Sequence, residues 1–103
     1  MPRDLRVCSV DELPPGQARL VEDGSLQIAV FHASGAYYAT DNLCPHRQSP
    51  LAEGYLDGYF VTCLAHGWQF DVRNGLCDTV PGQDLATYPV RVEAGDILVT
   101  LPE

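Results

Sequence analysis

Positive charge is scarce in this chain: 6 lysines and arginines stand against 14 aspartates and glutamates, a formal net charge of −8 over 103 residues. Such a surface repels phosphate polymers, which excludes nucleic acid as a partner and favours proteins that present a basic patch. Long apolar runs are missing as well. No stretch approaches the ~20 residues that cross a bilayer, and Met1-Pro2-Arg3-Asp4 lacks the basic-then-apolar order of an export signal. The expectation is a cytoplasmic protein without a membrane anchor. Room is short too, since a second core would need roughly another 50 to 100 residues, so residues 1–103 are expected to form one domain. Helical periodicity is almost absent. Ser9-Val10-Asp11-Glu12 has the form of a capping box, but Pro14-Pro15-Gly16 ends anything longer than about a turn.

What is present is strand pattern. Leu26, Ile28 and Val30 alternate with Gln27, Ala29 and Phe31 between Gly24-Ser25 and Ser34-Gly35, which predicts a half-buried strand with Ala36 to Thr40 as its return. Gly58 to Thr62 predicts a short strand running into Cys63, and Trp68 to Val72 another. Asn74-Gly75 has the composition of a type I′ hairpin turn. Tyr88 to Val92, a turn over Glu93-Ala94-Gly95-Asp96, and Ile97 to Leu101 predict a closing hairpin. The fold class is therefore all-β, expected as two packed antiparallel sheets.

Two short clusters carry the chemistry. Cys44-Pro45-His46 and Cys63-Leu64-Ala65-His66 each place a thiol and an imidazole within one turn, with sixteen residues between them. Two such loops can offer a metal centre two sulfurs and two nitrogens. Thiolates suit a sulfide-bridged ferric iron, while neutral imidazoles suit an iron that must change charge. A tetrahedral zinc is the competing reading, although structural zinc loops usually pair like ligands and these pairs are mixed. Of the other cysteines, Cys8 and Cys77, a reducing compartment favours buried small apolar residues over a Cys8–Cys77 bridge.

The C-x-H and C-x-x-H clusters have flanks that fit as well: Arg47 and Pro50-Leu51 after the first, Gly67-Trp68-Gln69-Phe70-Asp71 after the second. This combination resembles the Rieske [2Fe–2S] proteins. The resemblance implies a Rieske-type fold, packed antiparallel sheets with a small cluster-binding subdomain made by two hairpin loops at about residues 42–83. It implies one [2Fe–2S] cluster, with Cys44 and Cys63 on the inner iron and His46 and His66 on the outer, exposed one. Rieske proteins of quinol-oxidising complexes resemble C-T-H-x-G-C and C-P-C-H-G-S-x-Y. Here Ser49 and Ala65 stand at the two extra cysteines, and Trp68 and Phe70 at the serine and tyrosine. Without that bridge and those hydroxyl donors the resemblance implies a low potential, roughly −150 mV, suited to electrons from flavin or nicotinamide.

Several neighbours have two readings. Val80-Pro81-Gly82 lies where the family has a proline-containing loop over the cluster, and it is equally an ordinary turn. Trp68 either shields the cluster or is plain core. Gln48 departs from the family's usual glycine, and Arg47 is read as solvated. His32 matches no ligand position and is read as a surface residue. Glu53 and Asp57 are read as solvated members of an acidic docking face.

An oxygenase would need a further iron held by two histidines and a carboxylate, and only His32 is left over. The expected function is therefore that of a soluble, monomeric Rieske-type ferredoxin, not itself an enzyme. It carries one electron from a flavin-dependent reductase to the terminal component of an aromatic-ring or related oxygenase, docking at the His46/His66 edge. The alternative is the Rieske-like small subunit of an assimilatory nitrite reductase, a fixed relay inside a larger enzyme.

Overall fold

The computed structural model describes residues 3–24, 26–43, 50–64 and 67–101. Among them run ten strands: β1 (Arg3–Ser9), β2 (Ala18–Asp23), β3 (Leu26–Ala33), β4 (Ala36–Asp41), β5 (Tyr55–Asp57), β6 (Phe60–Thr62), β7 (Gln69–Asp71), β8 (Thr87–Tyr88), β9 (Val90–Glu93) and β10 (Asp96–Leu101). They build three antiparallel sheets, ordered β1-β10-β9, β2-β3-β4-β8 and β5-β6-β7. No described helix is long and apolar enough to cross a membrane. The short turn at Val10–Glu12 is the expected capping box, with the Glu12 carboxylate accepting from the Ser9 N–H and hydroxyl, each at 3.0 Å.

The all-β class holds, but there are three sheets where the sequence pattern predicts two, and the reason lies in β3. Ile28 and Val30 enter one core with Ile97, Val99 and Leu101. Ala29, Phe31 and Ala33 enter a second core with Val61, Phe70, Val72 and Leu85. The strand is thus covered on both faces rather than half-buried. Its alternate residues, Ala29 and Phe31, are apolar too, so both parities can be buried. Each large side chain sunk in this way stabilises the fold by about 1.5–3 kcal/mol, and β3 ties both cores together.

Turn chemistry explains the other departures. The β3–β4 hairpin turns through Ser34 and Gly35 (φ 49° and 85°) and the β9–β10 hairpin through Ala94 and Gly95 (φ 51° and 82°), each supplying the two left-handed residues of a type I′ turn. Asn74-Gly75 does not. Only Gly75 has positive φ (78°), and the Asp71 carbonyl accepts its N–H at 2.7 Å across a wider loop. The Asn74 side chain instead accepts the Leu76 N–H at 2.9 Å, an Asx-type turn. Asp71 holds the Arg73 guanidinium at 2.7 Å, and this pairing keeps its carboxyl below the usual carboxylate range. The predicted Tyr88–Val92 strand divides at Pro89. Proline has no N–H to give the ladder, so β8 stays with β4 while the chain crosses to pair β9 with β10.

The β1-β10-β9 sheet carries three of the six arginines. Arg3 pairs with Asp23, Arg6 with Asp96 at 3.1 Å, and Arg91 with Asp4 at 2.6 Å and with Glu93. The Arg91 bond draws the Asp4 pKa down to about 2. On and beside the β5-β6-β7 sheet, Glu53, Asp57 and Asp78 are exposed carboxylates.

Candidate metal centre

Two loops leave the second core, and their roots meet there. The first is pinched shut where Leu43 bridges Pro50 in antiparallel fashion, directly before Cys44. Asn42 bolts this root. It is fully buried, its N–H donates to the Gln27 carbonyl (3.0 Å) and its carbonyl accepts from Leu51 (2.6 Å). Its side chain accepts the Ala52 N–H (2.9 Å) and donates to Gln27 Oε1 (3.1 Å). Leu51, just beyond the loop, is buried in the same apolar group as Cys63.

The second loop is rooted at Cys63, which directly follows β6. Its N–H donates to the Trp68 carbonyl and its carbonyl accepts the Gly67 N–H, both at 2.8 Å, so the chain returns within five residues. Cys63 is fully buried among Leu51, Val61, Phe70 and Cys77, with Trp68 and Val80 half-buried against them. Gly54 brings the two roots into register. A Cβ there would lie 2.5 Å from the Thr62 carbonyl oxygen, one residue before Cys63, so only glycine admits this approach.

The position of each expected site residue follows. Cys44, His46 and His66 lie outside the described residues, as do Arg47, Gln48, Ser49 and Ala65. Cys63 occupies the root of a closed loop beside the root of the other. Cys8 and Cys77 are buried and free, in different cores, as small apolar residues are. Burial pushes the Cys8 thiol pKa up. Val80-Pro81-Gly82 forms a reverse turn closed by Gln83 N–H to the Val80 carbonyl at 3.3 Å, with Val80 turned toward the apolar group of Cys63. Glu53 and Asp57 are solvent-exposed.

His32 corrects its reading as a surface residue. It is half-buried, its ring lies 4.3 Å from that of Tyr37, and Nδ1 is 2.9 Å from the Leu13 carbonyl. A carbonyl only accepts, so Nδ1 carries the proton and ties the 10–17 segment to β3. The residue that sequence reasoning missed is Asn42. Its signal is an amide that follows a strand and stands two positions before the first cysteine-histidine pair. Asn42→Ala removes the acceptor of the Ala52 N–H and should cost about 1–3 kcal/mol in urea unfolding. An unchanged midpoint would show that the bolt does not matter.

The donor set fits an iron–sulfur centre on the part that is described: a buried, unbridged cysteine at a loop root, in one apolar group with Leu51, which follows the segment that in sequence begins with Cys44. The chain belongs to the Rieske [2Fe-2S] domain family, whose pattern matches residues 4–89. The family's cofactor is a [2Fe–2S] cluster with two cysteine and two histidine ligands. Within it, the chain is 42% identical to the biphenyl dioxygenase ferredoxin subunit of a Pseudomonas species, over 91% of this chain and 88% of that protein. It is 44% identical to the 3-phenylpropionate/cinnamic acid dioxygenase ferredoxin subunit of Photorhabdus laumondii, over 96% and 95%. A solved complex of reduced oxygenase and oxidised ferredoxin in carbazole 1,9a-dioxygenase superposes with a TM-score of 0.88 at 34% identity, covering 93% of this chain and 91% of that one. A nitrite reductase small subunit from Mycobacterium tuberculosis superposes with a TM-score of 0.91, covering 100% of this chain and 98% of that one, but at 24% identity the likeness shows the fold alone.

Proposed function

We propose that this protein is a Rieske-type ferredoxin, a one-electron carrier from a flavin-dependent reductase to the terminal oxygenase of an aromatic-ring or related oxygenation system. The observation that carries this reading is the end-to-end identity with dioxygenase ferredoxin subunits. Cys44, His46, Cys63 and His66 are assigned as the ligands, within a cluster-binding part at about 42–83 of a single domain spanning 1–103. Bound there, a [2Fe–2S] cluster supplies a centre that gains and gives up one electron. The chain's own residues bind it, bury the sulfur side and leave the substrate chemistry to the partner.

His46 and His66 are assigned as the edge where both partners dock, and the protein acts as a cytoplasmic monomer. The net charge of −8 steers it toward basic partner surfaces, so association rates should fall as salt rises. The nitrite reductase reading has fold likeness in its favour, at 24% identity to the superposed small subunit. Iron and acid-labile sulfide analysis tests the proposal, together with spectra of the oxidised and dithionite-reduced protein. Equal iron and sulfide, with uptake of one electron per chain, is the expected result. Zinc without sulfide would overturn it.

A further inference from the structure

The segment after β7 is fastened more closely than a surface turn requires. Its ends are tied by the Cys77 N–H donating to Asp84 Oδ1 at 3.0 Å. Inside it the Val80 N–H donates to Cys77 Sγ at 3.3 Å. Two bonds dock it on β7: Asp78 N–H to the Gln69 carbonyl at 2.8 Å, and Gln69 N–H to Thr79 Oγ1 at 3.0 Å. Beyond it, Leu85 is anchored by its N–H to the Gly75 carbonyl at 2.8 Å. Pro81, Gly82, Gln83 and Asp84 are exposed, whereas Val80 is drawn in against the apolar group of Cys63, Phe70 and Cys77.

Cys77 therefore has a part in both ends of the clamp. Its sulfur is a weak acceptor, so the inward place of Val80 depends on the Cys77 backbone staying put. Asp84 supplies that restraint from the far end of the segment, through a carboxylate oxygen that accepts the Cys77 N–H.

We propose that Asp84 and Cys77 are positioning residues for the iron–sulfur site, holding Val80 over the buried face of Cys63 and keeping water from its sulfur. This rests on Cys63 being a ligand. Neither residue touches the cluster in this account. Both act through Val80. The reduced centre carries about one more negative charge than the oxidised one, and water stabilises that charge, so a loosened clamp raises the potential.

Asp84→Ala and Asp84→Asn separate the hydrogen bond from the charge, because both remove the charge and only alanine removes the acceptor. Hydrogen exchange of peptides spanning 76–85, read by mass spectrometry on the iron-loaded protein, should be about tenfold faster in Asp84→Ala than in Asp84→Asn. Voltammetry should place the alanine variant at the higher potential. Cys77→Ala should exceed Cys77→Ser in both readouts. Equal exchange in the two Asp84 variants would overturn the clamp, and faster exchange with equal potentials would overturn its action on the site. Iron and sulfide are measured on the same samples. A wild-type chain that binds neither would overturn the ligand assignment and the proposal with it.

Discussion

Cys63→Ala is expected to give a colourless protein with no bound iron or sulfide, while Cys8→Ala keeps its full complement. All three described cysteines are buried and free, so burial alone does not separate a ligand from a packing residue. Position does. Cys8 sits within β1, in the core shared with β10, where its neighbours are Ile97 and Val99. Cys63 sits at the point where β6 gives way to a loop closed within five residues, next to the exit of the other loop at Leu51. On the proposed assignment, removing its sulfur takes away one ligand of four, at a place where the backbone is too tightly bonded to bring up a substitute. The packing loss is small, about 1 kcal/mol for so few atoms, so circular dichroism should report an intact sheet structure. Iron retained in Cys63→Ala would end the ligand assignment.

How far the sequence could be read depended on the range of the interaction concerned. The cysteine–histidine pairs stand out in the sequence because residues two or three apart make a local constraint that needs no knowledge of the rest of the fold. The β3–β4 and β9–β10 hairpins were legible for the same reason, each closing over a two-residue turn. β1 was not, since its partner is β10 at the other end of the chain, with Arg3 opposite Leu101, and no local pattern encodes that pairing. β2 escaped because it is an edge strand, with Leu20 itself 43% exposed, so its alternation carries little contrast. The third sheet followed from the two-faced burial of β3, which a reading of Leu26-Ile28-Val30 as the only inward set conceals. Asn74-Gly75 had the right composition for a tight hairpin, and side-chain bonds from Asp71 and Asn74 selected a wider loop. Asn42 shows the same limit within the site, because its four hydrogen bonds reach Gln27, Leu51 and Ala52, residues that sequence order keeps apart.

The reduction potential is expected near the low end of the range open to Rieske centres, about −150 mV out of roughly −150 to +300 mV. Two neutral imidazoles keep it above that of an all-thiolate cluster, and what places it within the range is the stabilisation of negative charge on the sulfurs. Phe70, fully buried and without a hydroxyl, stands where quinol-oxidising relatives of the fold carry a tyrosine, and Trp68 stands where they carry a serine. The paired cysteines of that class are replaced by Ser49 and Ala65. Each missing donor leaves the reduced state less stabilised, and the net charge of −8 further opposes adding an electron. Salt should therefore raise the potential slightly by screening that charge. Trp68→Ser restores a hydroxyl at the loop that follows Cys63 and should shift the potential upward. His46→Cys should shift it downward, because a charged ligand replaces a neutral one. Protein-film voltammetry decides between these accounts. A wild-type value well above 0 mV would mean that hydrogen bonds to the sulfurs do not govern the potential here, and a rise in His46→Cys would contradict the charge argument itself.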